Sequence, residues 1–182
     1  MKKVVLLGDS IRLLGYGKRV AEFLGEDYSV WQPEENCRFS FHTFRMIYDY
    51  REQIKDVDVI YWNNGLWDVC KTFGDEVFMD KEVYVDTMKR IAKVLQANSK
   101  TVIFATTTPV RQGDCWMENK DISAYNAAVV PALEGMGVMI SDLHSFVAGC
   151  IEDYVRDDDL VHLTEKGIEA CAQFVAAEIQ KA

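Results

Sequence analysis

Short apolar runs rich in β-branched residues, each followed by a longer segment with helical spacing, constrain this 182-residue chain more than any other feature. The runs are Lys3 to Gly8, Tyr28 to Gln32, Val57 to Trp62, Thr101 to Thr106 and Val138 to Ser141. Between them, Leu13, Gly17, Val20, Ala21 and Leu24 form one helical stripe, and Tyr84, Met88, Ile91, Ala92 and Leu95 form another. Ile122, Tyr125, Val129 and Leu133 form a third, with Asp121 expected as its N-cap and Pro131 expected to kink or shorten it. Ile168, Cys171, Ala172, Val175 and Ile179 predict a closing helix. Strands that read as unbroken apolar runs are buried on both faces, and parallel neighbours need long crossovers. The expected fold class is therefore α/β, a parallel sheet covered by helices on both faces.

Nothing marks a domain boundary: there is no internal repeat, no Gly-, Ser- or Pro-rich linker and no shift in composition. A single domain over residues 1–182 is expected, and a chain of this length buries roughly 70% of its unfolded surface. The charge balance bears on partners. Twenty basic against 29 acidic residues leave a net charge of -9, with no basic footprint for a nucleic acid backbone or an anionic membrane surface. Lys2 and Lys3 precede only four apolar residues before Gly8 and Asp9, too few for a signal peptide, and no run approaches the roughly 18 apolar residues of a membrane span. Five cysteines without a CxxC pair read as reduced, mostly buried thiols. A cytoplasmic location is the expectation, with no nucleic acid or membrane partner.

In open sheets of this class, ligands bind beyond the carboxyl ends of the strands. Four segments lie there and are expected to line one crevice: Gly8-Asp9-Ser10, Pro33 to Ser40, Asn63-Asn64-Gly65 and Thr107-Thr108-Pro109. Ser10 stands at a strand-to-helix junction, where a backbone N–H lacks an intrahelical partner and the helix dipole favours negative charge. It can serve as nucleophile and oxyanion donor, or simply cap the helix beginning near Ile11. Near the chain end, Asp159 and His162 stand three residues apart before the last helix. Serine needs a base to take its proton, and the base needs a carboxylate to hold its tautomer. His42 and His144 have no carboxylate at such spacing and read as structural. No zinc-type His/Cys cluster or calcium-loop spacing is present, so no metal or cofactor is expected.

On these residues the chain resembles the SGNH, or GDSL-type, serine hydrolases over nearly its whole length. Val5-Leu6-Leu7-Gly8-Asp9-Ser10-Ile11 resembles the family's first block, and Asp159 to His162, followed by Leu163-Thr164 and Gly167, resembles its last. The resemblance implies a three-layer α/β/α sandwich on a five-stranded parallel sheet, with Ser10, Asp159 and His162 as catalytic residues. The middle blocks differ. Arg38, within Asn36-Cys37-Arg38-Phe39-Ser40, holds the place of the usual oxyanion glycine, and Trp67 that of the usual asparagine. Asn63-Asn64-Gly65-Leu66-Trp67-Asp68 is similar to a variant subgroup with its asparagine at the strand end. The implied oxyanion hole is then Ser10, Arg38 and Asn63 or Asn64, with Asn63 favoured. Trp67, Arg12, Trp116 and Arg111 are candidate pocket-wall residues. Glu152, Asp153, Asp157 and Asp158, opposed by Arg156, predict a negative rim beside the histidine. The implied activity is hydrolysis of a small soluble acyl ester, such as an acetylated carbohydrate. A flavodoxin-like module that binds a ligand without chemistry is the alternative.

Overall fold

The computed structural model describes residues 1–113 and 115–182. Five parallel strands, β1 (Lys2–Leu7), β2 (Tyr28–Trp31), β3 (Val57–Asn63), β4 (Ser99–Ala105) and β5 (Met139–Ser141), form one sheet in the order β2-β1-β3-β4-β5. Each coincides with one of the five apolar runs to within two residues. Six of the seven β3 residues are buried, as a central strand covered on both faces requires. Within β3, Trp62 packs against Phe104 of β4, with ring centroids 5.1 Å apart. The fold is α/β, with the buried apolar side chains forming one continuous core.

The helices are α1 (Val20–Leu24), α2 (Ser40–Asp49), α3 (Lys81–Gln96), α4 (Asn119–Glu134), α5 (Leu143–Ala148), α6 (Ile151–Tyr154) and α7 (Glu165–Gln180). α1 packs with α7, whereas α2, α3 and α4 pack in sequence with one another. That division follows from right-handed crossovers. The chain moves one way from β1 to β2 and then back across the sheet to β3, β4 and β5, so the returning helices cover the opposite face. The strand order reverses between β1 and β3, and Ser10 and Asn63 lie at that point.

Several expectations are corrected. The first helical stripe is a broken run: a π-helical turn at Ile11–Gly15, a 3₁₀ turn at Tyr16–Lys18, and only then α1. Gly15 and Gly17, both weak helix formers, interrupt it. Glu118, not Asp121, precedes α4; Asp121 sits in the first turn, its Oδ2 3.0 Å from Lys71 Nζ. Pro131 lies inside α4, which ends three residues later. Helix α2 has no counterpart in the expected elements, because its four buried residues are Ser40, Thr43, Met46 and Ile47, two of them polar. Of the five free thiols, Cys37 and Cys171 are buried and Cys150 is exposed. Among the described residues no helix is long and apolar enough to cross a membrane.

Candidate active site

The loop after β1 brings Ser10 to the carboxyl edge of the sheet, and the segment before α7 brings Asp159 and His162 to meet it. His162 Nε2 lies 2.9 Å from Ser10 Oγ, and His162 Nδ1 lies 3.0 Å from Asp159 Oδ2. The other Asp159 oxygen accepts the backbone N–H groups of Val161 at 2.9 Å and His162 at 2.8 Å. Partial burial works against this carboxylate, but those two N–H groups and the imidazole outweigh it and hold Asp159 below its ordinary range. With a proton on Nδ1 facing Asp159, Nε2 is left as the acceptor for the Ser10 hydroxyl.

The 155–163 turn is closed by an antiparallel bridge between Val155 and Leu163 and by Arg156 N donating to His162 O at 2.8 Å. Leu160 takes a left-handed conformation there (φ 65°). Thr164 then caps α7, its side chain accepting the Gly167 N–H at 3.0 Å.

Beneath Ser10 lies a buried polar layer. Asp9 Oδ1 accepts from Ile11 N at 2.9 Å and from Asn63 Nδ2 at 2.9 Å, while Asn63 Oδ1 accepts from Tyr16 OH at 2.7 Å. Burial raises the Asp9 carboxyl above its ordinary range despite these bonds. A side chain at position 8 would place its Cβ 2.0 Å from Asn63 Oδ1, so only glycine admits the asparagine here. Asn63 is thus engaged at both ends, and it does not line the cleft.

Asn64 is equally buried but points elsewhere: its Oδ1 accepts from Trp62 Nε1 at 2.6 Å, and its Nδ2 donates to Arg38 O at 2.8 Å. Its carbonyl takes hydrogen bonds from Tyr84 OH and Thr107 Oγ1. Arg38 has φ 51°, the left-handed region that glycine enters without strain, and its N–H donates to Asn36 Oδ1 at 2.7 Å. The same loop is tied to β1 by Cys37 N donating to Gly8 O, and to the β3 loop by Asp68, which accepts from both Ser40 N and Ser40 Oγ. Burial pushes Asp68 up to about 7, against those two bonds.

A cleft of about 820 Å³ opens from Ser10 and His162, and Trp67 and Trp116 both line it. The two arginines do not. Arg12 is fully buried, its guanidinium donating to Gln32 Oε1, Pro33 O and Glu35 O, so it pins the loop after β2 from below. Arg111 reaches Val155 O at 3.2 Å and pairs with Glu152, bracing the turn that carries Asp159 and His162. Thr107-Thr108-Pro109 also falls short of the cleft; Thr107 exchanges hydrogen bonds with the Asn126 amide and supports the β3 loop from behind. Nor do the acidic residues form a bare rim. Glu152, Asp153 and Asp158 pair with Arg111, Lys166 and Arg156. Sequence reasoning missed Phe39, Phe73 and Phe78, which line the cleft. Among the described residues no group of three potential metal ligands comes together.

Comparison of this architecture with solved structures decides what it resembles. A lipase/acylhydrolase from Enterococcus faecalis superimposes with a TM-score of 0.80, covering 100% of this chain and 96% of that one at 16% identity. An acetyl xylan esterase gives 0.75, with 98% of each chain covered at 20% identity. A GDSL-like lipase from Bacteroides thetaiotaomicron gives 0.72, covering 99% and 88% at 17% identity. The chain has the GDSL-type hydrolase fold. No protein-family model matches the sequence, and no curated protein is significantly similar to it.

Proposed function

We propose that the chain is a serine hydrolase acting on acyl esters, with residues 1–182 forming one catalytic domain. The observation that carries this reading is the unbroken hydrogen-bond chain from Ser10 through His162 to Asp159. A module that merely binds a ligand has no use for a serine–imidazole–carboxylate relay, and the neighbours in fold are named as acylhydrolases and esterases.

In the proposed reaction His162 Nε2 takes the Ser10 proton as Oγ attacks the acyl carbon, and Asp159 stabilises the imidazolium that forms. The C–O bond to the alcohol then breaks, with His162 returning the proton to the leaving oxygen. Water, deprotonated by His162, releases the acid and regenerates Ser10. For the oxyanion we assign the Ser10 N–H, at the free N-terminal start of its turn, and the Asn64 amide beside Arg38. Both asparagines are held at both ends; we choose Asn64 because its Nδ2 is anchored to Arg38 O, in the loop that carries Asn36 and Phe39 to the cleft, leaving its second N–H for the oxyanion, whereas Asn63 is anchored to Asp9 and Tyr16 in the layer beneath Ser10.

The test is a fluorophosphonate probe read by intact mass, together with turnover of a nitrophenyl ester. One adduct on the wild-type chain and none on Ser10→Ala is expected. Ser10→Ala and His162→Ala should each lower turnover by several orders of magnitude, and their combination should be little worse than either alone. Turnover by Ser10→Ala near the wild-type rate refutes the assignment.

A further inference from the structure

Two cavities meet at Ser10 and His162, and their walls differ in chemistry. The larger, about 820 Å³, runs from Ser10 past Leu66 and Trp67 and is walled by Phe39, Phe73, Phe78 and Trp116. Several of the polar groups that reach it are already engaged: Asp159 by His162, Asn36 Oδ1 by Arg38 N, and Thr72 Oγ1 by Cys70 Sγ at 3.2 Å. The smaller cavity, about 480 Å³, shares Ser10, Leu14 and His162 with the first, but its outer wall carries Lys18, Arg156, Thr164 and Glu165.

We propose that the enzyme is built for amphiphilic esters, with an extended apolar acyl chain in the aromatic arm and a hydroxylated, polar alcohol in the charged arm. The inference rests on the hydrolase reading above and names its substrate class.

The chemistry of the walls and of the reaction guides which half goes where. The leaving oxygen must lie against His162 Nε2 to receive its proton. His162 lines both arms, and we place the alcohol in the one whose walls include Lys18, Arg156, Thr164 and Glu165, where a polar group finds polar neighbours. The aromatic arm is bounded by the loops after β2 and β3 that flank the oxyanion site, so it receives the acyl group that stays on Ser10.

Size and exposure favour a long acyl chain over an acetyl group. The aromatic arm lies in the upper range of cavities that enclose drug-sized ligands, and acetyl would leave most of it to water. Phe73, Phe78 and Trp116 are 93%, 52% and 71% exposed, an apolar rim that water does not favour and an acyl chain would cover. A sugar placed in this arm would shed its hydration against mostly aromatic walls that offer few replacement partners. On this proposal an acetylated carbohydrate, one example among the small esters the resemblance implies, is the poorer substrate.

The experiment uses the full chain and nitrophenyl esters of acetic, butyric, hexanoic and octanoic acid, alongside the fluorophosphonate adduct as a check that Ser10 reacts. kcat/KM should rise roughly two- to fourfold per methylene, giving an octanoate-to-acetate ratio of about sixty or more over the six added methylenes. Phe78→Ala combined with Trp116→Ala should lower that ratio by roughly tenfold; these side chains are largely exposed, and folding is checked by circular dichroism. Glyceryl octanoate should turn over faster than hexyl octanoate, and Lys18→Leu should narrow that preference. An adduct on Ser10 with a flat or falling acyl series overturns the inference and leaves the hydrolase reading standing. So does a ratio that the double variant leaves unchanged, or a preference for the hexyl ester. No adduct and no turnover removes both.

Discussion

Asp68 is a carboxylate held where a carboxylate is costly. It is buried, and its oxygens accept the Ser40 N–H and hydroxyl, joining the Arg38 loop to the β3 loop. Its ordinary value of 3.8 applies in the unfolded chain, against about 7 in the folded one. Between these values the native state binds more protons, so the Asp68 contribution to stability falls as pH rises from about 4 to about 7 and is constant above. Asp68→Asn should abolish that slope: between pH 5 and pH 8 the wild type should lose roughly 2–3 kcal/mol relative to the variant in urea titrations. Parallel pH profiles would show that Asp68 is ionised throughout. The two asparagines separate equally clearly. Asn63→Ala removes one of the two donors to the buried Asp9 Oδ1 and leaves the buried Tyr16 hydroxyl without its acceptor, and should cost roughly 1–3 kcal/mol of stability. Asn64→Ala, which strips the buried Trp62 Nε1 of its acceptor, should cost a similar amount of stability and in addition lower kcat by about a hundredfold with KM nearly unchanged, the signature of a donor used in the transition state. Measuring kcat and unfolding free energy on both variants checks the assignment, and the opposite pattern would return the oxyanion role to Asn63.

At the scale of elements, the site depends on turns that arginines brace from outside the cleft. Arg111 holds Val155 O and Glu152 with its side chain and Leu160 O with its N–H, so it touches the 155–163 turn on both sides of Asp159. Arg111→Ala should destabilise the fold by roughly 1–2 kcal/mol and lower kcat by about tenfold, since even small displacements of a base from its nucleophile are costly. A denaturation midpoint and a kcat for the variant test this; a loss of stability with full activity would mean the turn holds its shape without the arginine. The β3 loop is held in the same way by contacts outside the cleft. Gly65 has φ 147° and a Cβ there would lie 2.0 Å from Thr107 Oγ1, so the loop can lean on Thr107 only because position 65 has no side chain.

For the whole molecule, the net charge of -9 acts on whatever approaches the cleft. Because Glu152, Asp153 and Asp158 are paired with cations, the repulsion of an anionic ester comes from the overall charge more than from a local rim. kcat/KM for a negatively charged ester should rise a fewfold between about 10 mM and about 150 mM salt, as the Debye length shrinks from roughly 30 to 8 Å. A neutral ester of the same acyl group should stay flat, and equal responses would show that the global field does not reach the site. The whole chain also explains why distant loops meet: the order β2-β1-β3 opens one crevice between the ends of β1 and β3, and α7 docks beside α1 to deliver His162 to Ser10.

Local patterning was enough to specify the strands, the three long helices and the two blocks at the chain ends, because period, apolar runs and the Asp159–His162 spacing are properties of neighbouring residues. Helix α2 was not legible, since Ser40 and Thr43 lie on its buried face and weaken the apolar stripe that marks a helix. The break at Gly15 was hidden for a related reason, as apolar spacing continues across it. Roles that depend on which side chain reaches which partner required the tertiary structure. Arg12, Asn63 and Arg111 sit next to the site in sequence or at strand ends, yet their hydrogen bonds are spent on Pro33 and Glu35, on Asp9 and Tyr16, and on Val155. The aromatic wall of the cleft joins Phe39, Trp67, Phe78 and Trp116 from three separate loops. Only the folded chain brings them together, because such contacts depend on where the loops close in space and leave no period in the sequence.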